Sequence, residues 1–311
     1  AMSEINPTFY LSRVALVVQP GQNQLRAFSA EKGAWVSQEV IINTDEDDRY
    51  MIDTNVALVV QPGQNALRAF SGINGNWANL EVPVNNREGD HYATRGNVAL
   101  AVQPSRNRIH GFSAFSGVWS TINIEVNNNE GDVELIEQNL ALIVQPMRDR
   151  MCAYSAFTGT WEVINVPVDA NRGETYLIDT NMALVVQPGQ NHIRAYSAAT
   201  GSWAHLNVTV DPRHGDAYRI GANVALIMQP FQNKIRAFSA ITGSWSTLDV
   251  AVNPSEGDQF FVSGNVAMVI QPGQDKIHAF SAMNGQWASL EASVDARDKD
   301  VYLIGKDAVL G

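Results

Sequence analysis

The chain has 311 residues, 45% of them hydrophobic; that supply of apolar side chains is enough for a large core and argues against disorder. Its net charge of −11 excludes the clustered basic surface that nucleic acid or an anionic membrane would require. No apolar run approaches the length of a membrane-spanning helix, and the single cysteine, Cys152, excludes an internal disulfide and a cysteine-rich metal site.

Taken from the N-terminus, the opening "AMSEINPTFY" has neither a basic stretch nor an apolar stretch, so no signal peptide is expected. A strict period follows. Tryptophan stands at positions 35, 77, 119, 161, 203, 245 and 287, always 42 residues apart, and these are the seven tryptophans of the chain. A Gln-Pro pair keeps the same interval from Gln19 to Gln271, as does the glycine two residues before each tryptophan. Seven units therefore succeed one another without insertion or deletion.

Each unit holds four short strand-like runs, here called a to d. In the seventh, "QFFV" is strand a, and "SGN" is a tight turn whose residues tolerate positive φ. "VAMVI" is strand b, stopped at Gln271-Pro272 because proline cannot donate to a ladder. "KIHAFSA" is strand c, "MNG" a hairpin turn and "WASLEAS" strand d. No window carries a capped 3.6-residue period, so helix is absent or marginal. Four antiparallel strands in about 42 residues, repeated seven times, predict an all-β fold, a seven-bladed β-propeller in one domain. The expected blades are 9–47, 48–89, 90–131, 132–173, 174–215, 216–257 and 258–299. Strands such as Val56–Val60 are apolar on both faces because each blade packs between two others. The repeated tryptophan fits a blade-to-blade anchor that buries roughly 150–250 Å².

After the seventh unit, "DKDVYLIGKDAVLG" matches strand a and the start of strand b once more. Residues near Val301 to Ile304 are expected to take the first-strand position of blade one beside Val14–Val18, with 300–311 as the closing segment. "PTFYLSR" near the N-terminus, lacking the acidic residue and turn glycine of the repeat, would then lie outside the sheet.

The hairpin "FSAITGSW" (Phe238 to Trp245) resembles the kelch repeat, in which an aromatic residue, a threonine and a tryptophan occupy the c–d hairpin, and its Thr–Gly–Trp grouping is similar to PQQ-type propeller repeats. The resemblance implies a propeller with this strand order. It departs from kelch at the end of strand b, where Gln-Pro replaces the paired glycines, and the Trp-Asp dipeptide of WD40 repeats is absent. Kelch-like propellers include enzymes, lectins and scaffolds, so the likeness does not choose a ligand.

In an up-and-down blade the a–b and c–d turns share one end and the b–c and d–a loops the other. The first pair is minimal, while the second is longer and polar, which marks the b–c/d–a face as the functional one. Three sets of residues stand there. Asp48, Asp90, Asp132, Glu174, Asp216, Asp258 and Asp300 each precede strand a. They could ring a channel mouth and hold a cation, or could each accept backbone N–H bonds in their own turn, which is the favoured role. The amides Gln22, Gln64, Gln190, Gln232 and Gln274, with Asn23, Asn65, Asn191 and Asn233, could read sugar hydroxyls at every blade or could serve turn geometry. The Gln19 copies, which precede proline, are read as structural. The third set breaks the symmetry: Arg106, Arg108, Arg148 and Arg150 gather in "SRNRIH" and "MRDRMC", and Phe231 replaces a loop glycine. Arginine forks suit carboxylate or phosphate, and Phe231 suits an exposed contact; drift on tolerant loops is the competing explanation.

Catalysis has little support. Only His110 and His278 share a repeat position, and no nucleophile elbow, phosphate loop or HExxH is present. The sequence thus predicts a non-enzymatic binding module for a carbohydrate or protein, in its more specific form a multivalent lectin-like one, with no cofactor. The alternative is a lyase or hydrolase with a single site at the channel mouth, using residues such as His91 and Arg219.

Overall fold

A computed structural model describes residues 11–306. Seven antiparallel sheets follow one another along the chain, six of four strands and the first of three among the described residues. In the sixth, strands a to d are Ala217–Ile220, Val224–Gln229, Lys234–Ser239 and Ser244–Asp249. The remaining regular elements are three-residue 3-10 turns, one at each Gln-Pro loop and others before the first strands. The chain is an all-β, seven-bladed β-propeller. Its described residues form two compact units, one reaching Val166 with blades one to four and one starting at Pro167 with blades five to seven.

Strand b is the centre of each blade. Val56 to Val60 are all fully buried, as the unbroken apolar run requires of a strand covered on both faces. Beside it, strand c places an aromatic ring against the tryptophan of strand d. Phe238 pairs with Trp245 in register, with ring centroids 5.2 Å apart, and Phe112 meets Trp119 in the same way at 5.5 Å. The strand-c aromatics, not the tryptophans, are the deepest side chains: Phe70, Phe112, Tyr154, Tyr196, Phe238 and Phe280 are all but sealed, whereas the tryptophans are half-buried and Trp35 is 53% exposed.

Even so, the tryptophans join blades within each unit. The indole Nε1 of Trp77, Trp119 and Trp161 donates to a carbonyl of the preceding blade, on Val36, Ala78 and Ser120, at 2.9 to 3.0 Å. Trp245 and Trp287 do likewise in the second unit. A second set of bonds runs in the other direction. Asn55 Nδ2 donates to Asn97 Oδ1 and Asn97 to Asn139, both at 2.6 Å; Asn181, Asn223 and Asn265 continue the pattern in the second unit. These asparagines open strand b, and an amide suits a chain of this kind because it both gives and receives. Blade one substitutes Arg13, whose Nη1 donates to Asn55 Oδ1 at 3.1 Å. Gly111 replaces the strand-c alanine because a Cβ there would lie 2.8 Å from the Tyr154 ring of the next blade.

Residues 301–306 contain no strand, and Val14–Gln19 is laddered only to Gln24–Ser29 among the described residues. Val301 and Leu303 are 75% and 85% exposed, while Ile304 shares a groove with the first strands of blades six and seven. One side of the segment thus finds apolar cover. Val301 and Leu303, on its other side, stay in water. Residues 1–10, which hold most of "PTFYLSR", and 307–311 lie outside the described residues.

This packing orders the cost of truncation. Phe238→Ala should lose about 3–5 kcal/mol in denaturant unfolding, the range for emptying a sealed aromatic site. Trp245→Ala, half-buried and with one hydrogen bond, should lose less. The reverse order would make the indoles the principal anchors.

Candidate functional site

The Gln-Pro loop explains itself from the residues upward. Proline opens a 3-10 turn, and the chain leaves it through an Asn or Asp in the left-handed region, as at Asn65 with φ 48° and Asn233 with φ 51°. Asparagine tolerates that conformation, and its side chain is used as well: Asn23 Oδ1 accepts the Ile42 amide at 3.2 Å. Asn107, Asn233 and Asp275 accept the corresponding amides of Val126, Val252 and Val294.

The glutamine before proline is sealed from solvent in blades two to seven. Gln61 Nε2 donates to Ile41 O at 3.1 Å and to Asp48 Oδ2 at 3.2 Å, while its Oε1 accepts Arg68 Nε at 2.6 Å. The same three-part chain recurs. Asp216, Gln229 and Arg236 form it at 3.0 and 2.7 Å, and Glu174, Gln187 and Arg194 at 3.1 and 2.8 Å. In blades three and seven a histidine replaces the arginine, His110 on Gln103 Oε1 at 2.7 Å and His278 on Gln271 Oε1 at 2.8 Å. Because each glutamine Nε2 is already spent on two acceptors, its Oε1 faces the histidine, which must carry a proton on Nε2. Nδ1 of His110 then accepts from Thr121 Oγ1 at 2.6 Å. Burial pushes His110 down to about 4 and lowers His278 too, so both rings are neutral at pH 7.

This chain accounts for the acidic set. Asp90 accepts Gln103 Nε2, the Asn85 amide and Ser105 Oγ; Asp132 accepts Gln145 Nε2 at 2.9 Å. Asp258 accepts Gln271 Nε2 and the Asn253 amide, and Asp300 accepts the Asp295 amide at 3.3 Å. Burial raises Asp48 and Asp132 above the usual carboxylate range. Neighbours that present N–H groups are the wrong lining for a hard cation, which needs further oxygens. Among the described residues no three His, Cys, Asp or Glu side chains gather at metal-ligand spacing.

The symmetry-breaking arginines divide. Arg150 is a substitute: Cys152 stands where other blades have the strand-c Arg or His, and Arg150 reaches back from two residues earlier, its Nε on Gln145 Oε1 at 2.5 Å and its Nη2 on Glu125 O at 2.9 Å. Burial pushes the Cys152 thiol up to about 12, so it is no nucleophile. Arg148 forks Glu130 with two bonds of 3.2 Å and also pairs with Glu125. It edges a polar groove of about 510 Å³ with Glu88, Ser105 and Asn107. Arg106 and Arg108 are exposed, with no ion pair among the described residues.

The repeated loop amides divide too. Gln232 and Gln274 turn back onto Thr209 O and Ala251 O at 2.6 Å, the same carbonyls that Gln229 and Gln271 use. Gln22 meets Arg26 at 3.5 Å. Gln64 and Gln190 are half-buried with no hydrogen bond among the described residues.

Phe231 is 76% exposed and stacks on His214, centroids 4.4 Å apart, while His214 Nδ1 bonds Asp211. At the same loop position in blade four Met147 is 69% exposed. The sequence reading missed Met147, although aligning the repeats shows Gly21, Gly63, Ser105, Met147, Gly189, Phe231 and Gly273 in one column. It also treated His91 as solitary. His91 Nε2 lies 2.6 Å from Glu134 Oε2, its Nδ1 bonds Gly89 O, and Arg95 pairs with Glu137 at 3.5 Å across the same two first strands. The bond to Glu134 raises His91 above its ordinary value.

No protein-family model matches the sequence, and a search of curated proteins gives no match. Among solved structures, a streptogramin B lyase is 15% identical with a TM-score of 0.30, covering 83% of this chain and 87% of its own. Virginiamycin B lyase from Staphylococcus aureus is 13% identical, with a TM-score of 0.29 and coverage of 82% and 87%. BamB from Moraxella catarrhalis is 11% identical, with a TM-score of 0.27 and coverage of 91% and 86%.

The histidines predict opposite pH effects. His110, depressed when folded, must stay neutral; its contribution is present above about pH 6.5 and is lost as pH falls toward 4, on the order of 3 kcal/mol. His110→Arg, the residue of blades one, two, five and six, should remove that loss in acid unfolding curves. His91, raised when folded, contributes below about pH 6.5 and loses its contribution as pH rises through its folded value. The stability gap between wild type and His91→Gln should therefore narrow toward alkaline pH, and a gap that widens there would contradict the ion pair.

Proposed function

We propose that the chain is a non-enzymatic interaction module that takes a protein ligand on its b–c/d–a loop face. The observation that carries this reading is Phe231, a large aromatic side chain 76% exposed at a loop tip where four blades have glycine. Exposing such a ring costs solvation in the free protein, and a ring braced by a neighbour such as His214 loses little freedom on binding. Aromatic, Met and Arg side chains are the residues enriched at interface anchors; the blade-four loop offers an exposed Met147, and the blade-three loop offers Arg106, with no ion pair among the described residues. Groups able to do chemistry support the same reading from the other side. His110, His278 and Cys152 are buried within the sheets, and the loop carboxylates accept structural hydrogen bonds.

A carbohydrate reading has its own observation: the Gln64 and Gln190 amides are uncommitted in equivalent loops and could meet sugar hydroxyls with repeated stoichiometry. It is the weaker reading because Gln232 and Gln274 direct their amides inward. The kelch-like resemblance is compatible with both.

Screening the folded chain against peptide and glycan libraries, followed by calorimetry, separates them. A peptide ligand with one site per chain is expected, weakened roughly tenfold or more by Phe231→Gly with Tm unchanged. Arg106→Glu should weaken a ligand that docks on the blade-three loop. Saturation by a glycan at several equivalents, insensitive to Phe231→Gly, would establish the lectin-like reading instead.

A further inference from the structure

The third residue of each first strand lies opposite an apolar residue of strand b. Met51, Ala93 and Leu135 face leucines 58, 100 and 142; Leu177 faces Leu184, and Phe261 faces Met268. Blade five to blade seven interrupts this apolar row once, with Arg219 opposite Leu226. Arg219 is the one charged residue in that register among the six first strands described.

Other charges on first strands have answers close by. Arg49 lies 3.8 Å from Asp47 and 5.9 Å from the Tyr92 ring centre; His91 has Glu134, and Arg95 has Glu137. Arg219 has no hydrogen bond or ion pair among the described residues. Arg219 is exposed and, like Arg106 and Arg108, has no ion pair among the described residues, but unlike them it stands in an otherwise apolar register of a first strand.

Arg219 also sits in a recess. The groove has a volume of about 460 Å³ and is lined by Tyr218, Arg219, Phe260, Phe261, Val262 and Ile304, with Ile220 completing it. Apart from the guanidinium its walls are aromatic or aliphatic. A groove of this volume suits a small ligand, and such sites pair an apolar wall with a few polar groups that fix orientation. The guanidinium fork matches a carboxylate by two parallel hydrogen bonds, and ring faces and edges suit a flat apolar body.

We propose that this groove binds a small aromatic carboxylate, with Arg219 taking the carboxylate and Phe260, beside Val262 and Ile304, contacting the ring. The site is independent of the loop face: it lies on first strands of blades six and seven and uses none of the residues assigned to the interaction module. No bond is made or broken in it.

The test titrates the intact chain with phenylacetate, phenylacetamide and acetate by calorimetry, with ligand-observed NMR as a second readout. Phenylacetate should saturate at one equivalent, and the neutral amide and the ringless acetate should each bind about tenfold or more weakly. Arg219→Leu, which introduces the residue of blades four and five, should weaken phenylacetate roughly 10- to 100-fold, the effect of removing a hydrogen-bonded charge. Arg219→Gln keeps a polar side chain and should weaken it as well, which covers any folding defect of the leucine variant. Phe260→Ala should weaken phenylacetate while leaving acetate unchanged. Absence of saturable phenylacetate binding, equal affinity for the amide, or full affinity in folded Arg219→Leu or Arg219→Gln would overturn the proposal.

Discussion

One buried amide organises each blade. A glutamine at the end of strand b, without exposure in blades two to seven, has two donors and one acceptor to satisfy, and an unmade bond at such a position costs roughly 1–3 kcal/mol. Its donors tie it to the last carbonyl of the preceding d segment and to the carboxylate before strand a. Its acceptor calls for an Arg or His on strand c. Thus three loop positions far apart in sequence are bound to one side chain. The proline that follows ends the ladder, so the glutamine need not compete with a continuing strand.

The exceptions show how strict this requirement is. Blade four has Cys152 where the cation should be, and the gap is filled by Arg150 from a neighbouring position. Blades three and seven use a histidine, which fits only as the neutral tautomer that donates from Nε2. In each case the partner changes and the glutamine stays. A substitution that serves the frame therefore shows itself by rebuilding the same bonds, and one that serves a ligand shows itself by leaving a group unanswered. Arg150 belongs to the first kind. Phe231, Met147, Arg106 and Arg219 belong to the second.

Much of the frame was legible in the sequence because it is periodic. Strands a to d, the turns and the apolar b strand follow from residue types alone, and seven copies make each assignment seven times over. The identity of the anchors was less legible. Tryptophan is larger and rarer than phenylalanine, so it drew attention, yet strand d lies toward the edge of its sheet and leaves the indole half in water while the strand-c ring is sealed. The acidic set could be located, and its bonding in the turn was expected, but its second partner is 13 residues away and no local rule connects them. Arg148 and Arg150 looked alike in sequence; a reach of two residues along a strand decided that one completes the glutamine's bonds.

Repetition also determines where function can enter. When every blade meets the same internal demands, a position outside the glutamine chain, the asparagine row and the aromatic pair is free to vary in one blade without disturbing the others. The loop column containing Met147 and Phe231 is such a position, since the turn beside it is held by proline and by the Asn or Asp that follows. The third residue of the first strand is another, since it needs only to cover strand b, and residues as different as Ala93 and Phe261 do so. Charge on a first strand is the costlier change. Blades three and four carry theirs in closed pairs, His91 with Glu134 and Arg95 with Glu137, which hold neighbouring first strands together and leave nothing over. Arg219 gives no comparable support to the sheet. A guanidinium kept in an apolar register of a first strand, with no ion pair among the described residues, is better explained by an anion that comes and goes than by the stability of the blade that bears it.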